Sequence, residues 1–390
     1  MLFQPTLQEA WFQHVERVAR RTLGVYDLRG ARLAEAIARV SQLYTRERAQ
    51  LSELTGDDEA LCARLKFFLS RDLLKVHGPV AELASVSALP PRTRLRVLDL
   101  GAGLGATSLG LARSLRTLGR AERLELTAVD VDPDALEIMT ELCTNLESLP
   151  GVPIELTTRV HDLSRGWPAV QGRFDVILLG LVLNELPGEG LAEQLIRLSS
   201  LLADDGVLLV IEPALRETSR VLHAVRDQLA ARQASPYVFA PCLRRSLPCP
   251  MLARERDYCH ERVPCALPES LAAPARAAGL RDSDLTYSYL TLHRAERSLH
   301  ELANAATLLR AVSGSLPSKG KLELWLCGSS AAPRAMRLDR HASAENAAFE
   351  QAQRGSVLAL EPLQVNEDGS RTRIAADTRA TLVQSWVAER

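Results

Sequence analysis

The stretch Val97-Leu-Asp-Leu-Gly-Ala-Gly-Leu-Gly105 decides the fold class of this chain. Its apolar first part predicts a short strand, and the residues from 107 to 118 predict a helix. Between them, glycine occupies every second position, at Gly101, Gly103 and Gly105. A ligand can lie against backbone only where no Cβ intrudes, and glycine tolerates the dihedral angles of such a turn. The sequence therefore predicts a ligand-binding turn between a strand and a helix.

The spacing of the glycines and the acid beside them indicate the kind of ligand. The pattern Gly-x-Gly-x-Gly is shorter than the Gly-x-Gly-x-x-Gly of dinucleotide-binding folds. Asp99 would repel an anionic pyrophosphate, whereas a cationic amino-acid group would be attracted to it. These two features favour S-adenosylmethionine over NAD.

Further strands and helices alternate along the chain after this turn. Apolar runs predict strands at residues 95–100, 124–129, 154–160, 174–183 and 207–211, and helices at 107–118, 133–146 and 190–202. This alternation is typical of an α/β fold, a doubly wound and mostly parallel sheet with helices on both faces. A later strand, residues 285–292, alternates in a way that suits a sheet edge.

The regions on either side have other compositions. Residues 1–90 are predicted to be helical, because apolar residues recur at helical spacing over 33–54 and 58–83. Residues 91–300 form the predicted ligand-binding domain, with a cysteine-rich insertion at 241–268. Residues 305–390 hold short alternating segments between Gly, Ser and Pro breaks, which predict a small β-rich module.

Composition limits the classes of partner. The chain has 47 basic and 48 acidic side chains, and its net charge of −1 argues against a protein that grips nucleic acid through overall positive charge. The sequence contains no apolar run of the roughly 20 residues that cross a bilayer, and no secretory signal is evident. We therefore expect a cytoplasmic protein without a membrane or DNA partner.

Four of the seven cysteines, Cys242, Cys249, Cys259 and Cys265, lie within 24 residues. In a reducing compartment such a cluster indicates metal binding rather than disulfides. Four thiolates suit either tetrahedral zinc or an iron–sulfur cluster. The separations are wider than in the paired knuckles of structural zinc sites, which favours iron–sulfur.

The segment from 95 to 215 resembles the class I S-adenosylmethionine-dependent methyltransferases. The resemblance implies that the three glycines pass under the cofactor and that Asp99 orients its methionine end. It also implies that Asp130, which closes the second strand, accepts from the ribose hydroxyls, and that Asp162 meets the adenine amino group. Asn184 and Glu185 follow the fourth strand, where such enzymes place residues that face the methyl acceptor.

The chain also resembles a methyltransferase-like family associated with the mitochondrial small ribosomal subunit and its bacterial relatives, which are predicted rRNA methylases. The matching segments include Leu183-Asn-Glu-Leu186, Ala240-Pro-Cys242, Tyr258-Cys-His260 and Gly320-Lys-Leu-Glu-Leu-Trp-Leu-Cys327. The resemblance implies a 4Fe–4S cluster with one distant ligand in the C-terminal module. The ligands would then be Cys242, Cys249, Cys259 and Cys327, with Cys265 as a spare.

The leading hypothesis is a protein that binds S-adenosylmethionine and methylates or assembles the small ribosomal subunit, with Glu185 as the candidate base. Five arginines interleaved with the cysteines would contact rRNA phosphates, or would form a solvated loop: Arg244, Arg245, Arg254, Arg256 and Arg262.

One alternative function is that of a non-catalytic assembly factor that retains cofactor binding. Another is a small-molecule methyltransferase with structural zinc. A thiolate nucleophile of the cytosine-C5 type is disfavoured, because in those enzymes it follows the fourth strand, where this chain has Asn184-Glu185.

Overall fold

The structure is a computed structural model, and it describes residues 2–3, 6–46, 50, 54–144, 151–186, 190–244, 247–265, 267–303, 307–328, 334–367 and 371–387. The N-terminal region opens with strand β1 (Leu2–Phe3) and is otherwise helical, as the sequence predicts. Its helices are α1 (Glu9–Thr22), α2 (Gly30–Thr45), α3 (Asp58–Ala63), α4 (Leu69–Asp72) and α5 (His77–Ser85). A π-helical turn (Arg64–Phe68) and a 3₁₀ turn (Leu73–Val76) join the last three into one rod. The helix predicted over 33–54 ends at Thr45, and residues 47–49 and 51–53 lie outside the described part of the chain.

The central domain contains the predicted alternation of strands and helices. Its elements are β2 (Arg94–Leu100), α6 (Ala106–Thr117), β3 (Arg123–Asp130), α7 (Pro133–Thr144), β4 (Ile154–Val160), β5 (Phe174–Gly180), α8 (Leu191–Ser199), β6 (Leu202–Pro213), α9 (Arg216–Arg232), β7 (Tyr237–Ala240), β8 (Glu261–Pro264), α10 (Glu269–Ala277) and β9 (Asp284–His293). The strand order is β4-β3-β2-β5-β6-β9-β7, with β8 paired to β9. Strands β2 to β6 are parallel, which confirms the predicted doubly wound, mostly parallel sheet.

The predicted edge position of residues 285–292 is wrong. Strand β9 lies inside the sheet, antiparallel to β6 on one side and to β7 and β8 on the other. Nearly all of its residues are buried, including the polar Ser288 and Thr291. The polar residues that suggested an edge are covered by neighbouring elements; Ser288 and Ser219 on α9, for example, share a hydrogen bond of 2.7 Å.

The C-terminal module is a second sheet, and its β-rich character is confirmed. Its elements are β10 (Leu308–Ala311), β11 (Leu316–Ser318), β12 (Lys321–Gly328), β13 (Arg334–Leu338), α11 (Ala347–Gln351), β14 (Val357–Glu361), β15 (Gln364–Val365), β16 (Arg371–Ile374), β17 (Arg379–Gln384) and β18 (Trp386–Val387). The main order is β15-β16-β13-β12-β10-β14-β17, with β11 paired to β12. Strand β18 pairs in parallel with β1, so the two ends of the chain meet.

The apolar cores cross the boundaries between these regions. One cluster joins Trp11 and Phe67 of the N-terminal helices to Leu109 on α6 and Leu142 on α7. A second joins α5 to the central sheet and reaches Leu308 and Val357 of the C-terminal module. The N-terminal helices therefore pack directly against the domain that carries the glycine turn. In the described residues, every helix is too short or too polar to span a bilayer.

Candidate functional site

A cavity of about 650 Å³ opens at the carboxyl ends of the parallel strands. Ligands of open α/β sheets bind at this edge. The predicted site residues on its wall are Gly101, Gly103, Asp130, Asp162, Asn184 and Glu185. One cavity therefore brings together the predicted cofactor side and the predicted acceptor side of the site.

All three glycines of the turn have left-handed backbone angles. The φ values are +74° at Gly101, +50° at Gly103 and +83° at Gly105. Space is also limited: a Cβ at Gly101 would lie 2.5 Å from Cγ2 of Val182, and one at Gly105 would lie 2.8 Å from Cε of Met139. Both the backbone angles and the close packing require glycine here, and at Gly103 the absent side chain leaves bare backbone facing the cavity.

Asp130 holds the turn from the neighbouring strand. Its Oδ2 accepts from the backbone N–H of Gly103 at 2.7 Å, and its Oδ1 accepts from the N–H of Asp132 at 2.9 Å. The carboxylate keeps further lone pairs and lies on the cavity wall. It is thus placed to accept hydrogen bonds from a bound polyol such as ribose.

Asp99 has a different environment from the other predicted cofactor residues. Its side chain is fully buried and is not part of the cavity wall. Ser108 on α6 donates to Oδ2 at 2.5 Å, while the buried Oδ1 has no hydrogen-bond partner among the described residues. Burial raises the pKa of Asp99 to about 7. The structure therefore places Asp99 where it can position the turn through Ser108.

Asp162 lies on the cavity wall, but its carboxylate is engaged in its own turn. Oδ1 accepts from the backbone N–H and the hydroxyl of Ser164, at 2.9 and 2.7 Å, and Arg165 forms an ion pair with Oδ2 at 3.2 Å. These contacts fix the shape of the turn at this end of the cavity.

On the acceptor side, the side chains of Asn184 and Glu185 have different environments. The Nδ2 of Asn184 donates to Oε2 of Glu212 at 2.8 Å and to the carbonyl oxygen of Leu181 at 3.1 Å, so this amide fixes the loop. Glu185 lies on the cavity wall, and burial raises its pKa to about 7, with a smaller contribution from Asp130. A carboxyl group with a pKa near neutrality is suited to exchange a proton at the ambient pH.

Sequence reasoning missed the wall that the N-terminal helices contribute. Arg64, in the π-helical turn, lines the cavity and donates to Oδ2 of Asp132 at 2.9 Å. Its Nη2 lies 3.3 Å from the position that a Cβ at Gly103 would take. Tyr44 on α2 lines the same wall. π-helical turns are frequent at functional sites. The helical periodicity of the sequence does not show where such a turn lies, so the sequence offered no usable signal for Arg64.

The four cysteines implied by the resemblance meet at a second, smaller cavity of about 40 Å³. Its wall includes Cys242, Cys249, Cys259 and Cys327. Burial raises the thiol pKa to about 11 at Cys249 and to about 12 at Cys327, and it raises the pKa of Cys259 well above the ordinary value of a thiol. Cys265 lies elsewhere, buried in the core that contains Trp11 and Phe67. The tertiary structure thus groups the distant Cys327, and not Cys265, with the other three.

One face of α9 holds the cysteine loop. The guanidinium of Arg220 donates to the carbonyl oxygens of Met251, Arg254 and Asp257, at 2.9, 2.7 and 2.8 Å. Further along the helix, Nε2 of His223 accepts from the N–H of Cys259 at 2.9 Å, and Asp227 accepts from the N–H of Cys249 at 2.8 Å. The spacing of 220, 223 and 227 was an available signal, because residues three and four apart share a helix face.

The segment Tyr258-Cys259-His260 separates the two cavities. Tyr258 lines the glycine-turn cavity, Cys259 lines the cysteine cavity, and His260 lines both. The rings of Tyr258 and His260 stack, with their centroids 5.0 Å apart and their planes at 25°. The hydroxyl of Ser288 donates to the carbonyl oxygen of Cys259 at 3.0 Å, which fixes this shared wall to β9.

No metal centre is seen among the described residues: no group of three or more His, Cys, Asp or Glu side chains is placed to hold an ion. Zinc requires its protein ligands within about 2.3 Å of one point. The structure therefore shows a shared cysteine cavity and gives direct support to neither the zinc nor the iron–sulfur alternative.

The arginines proposed to contact RNA differ in exposure. Arg244 is buried and donates to the carbonyl oxygens of Pro248 and Gly328, so the phosphate-contact hypothesis is wrong for it. Arg262 is tied to Asp284 by an ion pair of 2.6 Å. Arg254 and Arg256 are exposed, and Arg245 lies outside the described residues.

Comparison with protein families gives one match that covers most of the chain. The model of the family described as "Mitochondrial small ribosomal subunit Rsm22" matches residues 81–354. This range includes the glycine turn, the acceptor loop and all four cysteines of the second cavity.

Individual relatives match shorter or more distant stretches. A curated ribosomal protein L11 methyltransferase of Geotalea uraniireducens (strain Rf4) is 36% identical over 108 residues, which are 28% of this chain and 27% of that protein. The chain thus spans about a quarter of the length of that relative. Among solved structures, magnesium protoporphyrin IX methyltransferase from Synechocystis with bound SAM is 14% identical, with a TM-score of 0.33 over 69% of this chain and 99% of that one. A TehB-like SAM-dependent methyltransferase from Corynebacterium glutamicum is 21% identical, with a TM-score of 0.25 over 38% of this chain and 72% of that one.

Proposed function

Because the chain belongs to the mitochondrial small ribosomal subunit Rsm22 family, we propose that it transfers the methyl group of S-adenosylmethionine to RNA of the small ribosomal subunit. The observation that carries the proposal is the single cavity that holds both the glycine turn with Asp130 and the acceptor-side pair Asn184 and Glu185. Alignment of two reactants in one site is the main requirement of a methyl transfer.

The residues of the cofactor side fit S-adenosylmethionine. When bound, this group supplies an electrophilic methyl carbon. Gly101 and Gly103 offer bare backbone, and Asp130 accepts hydrogen bonds from the ribose hydroxyls. Asp99 positions the turn through Ser108 rather than through direct contact, because its side chain is buried away from the cavity.

The residues of the acceptor side fit a planar acceptor that loses a proton. Glu185 takes that proton, since its pKa of about 7 leaves a large fraction ionised at neutral pH. Tyr258, backed by the stacked His260, provides an aromatic face in the same cavity. Proteins recognise unpaired RNA bases by stacking them on aromatic side chains, so this face suits a nucleobase.

We further propose a 4Fe–4S cluster bound by Cys242, Cys249, Cys259 and Cys327. In a cubane each thiolate binds a different iron atom, so the four sulfur atoms do not have to converge on one point as they do around zinc. Arg226 and Arg244 line the same cavity, and their positive charge favours an anionic, thiolate-ligated occupant. Such a cluster would fix the segment Tyr258-Cys259-His260 from the side opposite to the methyl acceptor.

Methyl transfer is tested with labelled S-adenosylmethionine, offered with naked small-subunit rRNA and with isolated small subunits. We expect label in RNA from at least one substrate. We expect at least a tenfold loss of rate in Glu185→Gln, while the exposed Glu193→Gln on α8 serves as the matched control. Calorimetric binding of S-adenosylhomocysteine without any transfer would contradict catalysis and indicate a non-catalytic assembly factor.

The cluster is tested by anaerobic purification. We expect a brown protein that absorbs near 400 nm and contains iron and sulfide. Serine variants of the four cavity cysteines should lose this absorption, and Cys265→Ser should keep it. A colourless protein that contains zinc would contradict the iron–sulfur proposal and leave the methyl-transfer proposal standing.

A further inference from the structure

The C-terminal sheet has one buried face and one face that is partly exposed. Side chains of β12, β13 and β16 alternate between them: Leu324, Ala335 and Thr372 are buried, whereas Trp325, Arg334 and Arg371 point to the other side. The register places these last three residues in one row across neighbouring strands. We call the part of this side that precedes Cys327 the Trp325 face; its described members on the three strands are Lys321, the buried Glu323, Trp325, Arg334, Met336, Leu338, Arg371 and Arg373.

The Trp325 face carries an excess of positive charge. Its cations are Lys321, Arg334, Arg371 and Arg373, and its one acid among the described residues is Glu323. Lys321 and Arg334 both form ion pairs with Glu323, at 3.1 and 2.8 Å. Arg371 and Arg373 are exposed, and the described side chains give neither of them an ion pair. Although the turn before β16 adds the exposed Glu367, the balance stays positive.

An aromatic ring lies among these charges. The side chain of Trp325 is 38% exposed, while Trp11 and Trp386 are buried. The guanidinium of Arg334 lies 5.9 Å from the Trp325 ring centroid, a cation–π contact that holds the ring in place. Leu316 on β11, which is 43% exposed, pairs with Glu323 and extends the apolar surface on this side.

We propose that the Trp325 face binds a single-stranded segment of RNA. Proteins that bind single strands combine a positively charged track for phosphates with aromatic rings on which bases stack. Here Trp325 and Arg334 form the stacking position, and Arg371 and Arg373 form the phosphate track on the strand beyond. The choice of RNA over another polyanion rests on the function proposed above, since the family is one of the small ribosomal subunit.

The Trp325 face lies close to the cysteine cavity. Cys327 follows Trp325 on the same side of β12, two residues or about 7 Å along the strand. At Cys327 that side is covered: Arg310, its partner on β10, is buried against Glu261 of β8. The guanidinium of Arg244 in the cysteine loop also donates to the carbonyl oxygen of Gly328 at 3.2 Å. An RNA segment on the Trp325 face would therefore lie beside the cysteine cavity, whose wall includes Arg244, Glu261 and Cys327.

The test measures binding of the full chain to a fluorescent 12-nucleotide single-stranded RNA by anisotropy at several salt concentrations, without S-adenosylmethionine. We expect Trp325→Ala to weaken binding about tenfold and Trp325→Phe to restore most of it, because stacking needs only an aromatic ring. The matched control is Tyr26→Ala, which removes a ring that is 42% exposed on the N-terminal region.

A second measurement, the salt dependence of RNA affinity, tests the phosphate track formed by Arg371 and Arg373. The slope of log affinity against log salt is negative. The double variant Arg371→Gln, Arg373→Gln should make it shallower by about 1.4, since each cation that contacts a single strand contributes about 0.7 to its magnitude. The double variant Arg232→Gln, Arg276→Gln removes two exposed arginines elsewhere and should leave the slope unchanged.

Unchanged affinity in Trp325→Ala together with an unchanged salt slope in the arginine variant would overturn the proposal. Since the assay contains no methyl donor, that result would leave the proposed methyl transfer untouched. Circular dichroism and melting of each variant separate a loss of binding from a loss of folding.

Discussion

At the scale of single residues, Asp99 and Asp130 show how position gives different environments to two carboxyl groups beside the same glycine turn. They lie on the neighbouring strands β2 and β3. Asp99 is fully buried and has one hydrogen-bond donor, Ser108, whereas Asp130 faces the cavity and accepts from two backbone N–H groups. The first is suited to fix the turn and the second to bind a ligand.

The buried Asp99 predicts a pH dependence of stability. Burial raises its pKa from 3.8 to about 7, so the folded protein keeps a proton that the unfolded chain releases above pH 4. The stability that comes from holding this proton is full below about pH 4 and is lost as pH rises to about 7. Asp99→Asn keeps an acceptor for Ser108 and cannot ionise. Its stability relative to the natural protein should rise by at most about 1.4 kcal/mol per pH unit between pH 5 and 7.

Denaturant melts of both proteins at several pH values measure this difference, with no cofactor present. The variant Asp134→Asn, at the exposed start of α7, controls for the removal of a charge. A difference between Asp99→Asn and the natural protein that does not change with pH would show that Asp99 is ionised in the folded state.

The carboxylate of Asp130 on the cavity wall predicts an effect on cofactor affinity. Asp130→Asn keeps the size and one acceptor, but it loses the charge and cannot accept from both ribose hydroxyls. A hydrogen bond to a charged group contributes about 1.5–3 kcal/mol, so we expect S-adenosylhomocysteine to bind roughly ten- to a hundredfold more weakly. Calorimetry measures this, with Asp134→Asn again as control. Equal affinity in both variants would mean that another group, such as Asp132, holds the ribose.

At the scale of elements, α9 acts as the support of the cysteine loop. The helix supplies Arg220, His223 and Asp227 to the backbone of residues 249–259. Burial lowers the pKa of His223 to about 4, so its ring is neutral and can accept from the N–H of Cys259. The loop therefore has a defined backbone that rests on protein contacts as well as on any occupant of the cavity.

Removal of the longest of these side chains should loosen the loop. Arg220→Gln gives up three hydrogen bonds from a charged donor to carbonyl oxygens, which corresponds to about 2 kcal/mol or more of local stability. We expect faster amide exchange in peptides that span residues 247–260, measured by mass spectrometry. Arg216→Gln, at the exposed start of the same helix, should leave these peptides unchanged. Equal exchange in both variants would assign the order of the loop to other contacts.

At the scale of the whole molecule, one buried arginine joins all three regions. Arg310 of the C-terminal module forms ion pairs with Glu82 on α5 at 2.7 Å and with Glu261 on β8 at 2.9 Å. Its Nη2 donates to the hydroxyl of Tyr289 on β9 at 3.0 Å. All four side chains are buried, and one guanidinium faces two carboxyl groups. Burial raises the pKa of Glu82, which favours its protonated form and reduces the excess of negative charge.

Loss of this arginine should destabilise the assembled chain. Arg310→Met leaves two buried carboxyl groups without a cation, at a cost of about 3–5 kcal/mol. The triple variant Arg310→Met, Glu82→Gln, Glu261→Gln should recover much of that loss. Arg379→Ala, which breaks an exposed ion pair with Glu361, should change stability by less than about 1 kcal/mol. Thermal melting of the four proteins checks this, and equal melting of Arg310→Met and Arg379→Ala would contradict it.

The sequence by itself determined the parallel sheet, the glycine turn and the presence of a cysteine cluster. Each of these is local: a strand, a turn and a helix are encoded by consecutive residues, because alternation, periodicity and glycine spacing act over one element. The prediction that residues 285–292 form an edge strand is wrong, because polar residues in a strand indicate solvent exposure only when no neighbouring element covers them.

Only the tertiary structure decided which residues share a site. It placed Cys327 beside Cys242, Cys249 and Cys259, brought Arg64 over the glycine turn, and left Trp325 exposed. These arrangements depend on residues far apart in the chain, as Arg310 and Glu82 are, 228 positions from each other. Their proximity follows from how sheets and helices pack, and no local pattern of residues encodes that packing.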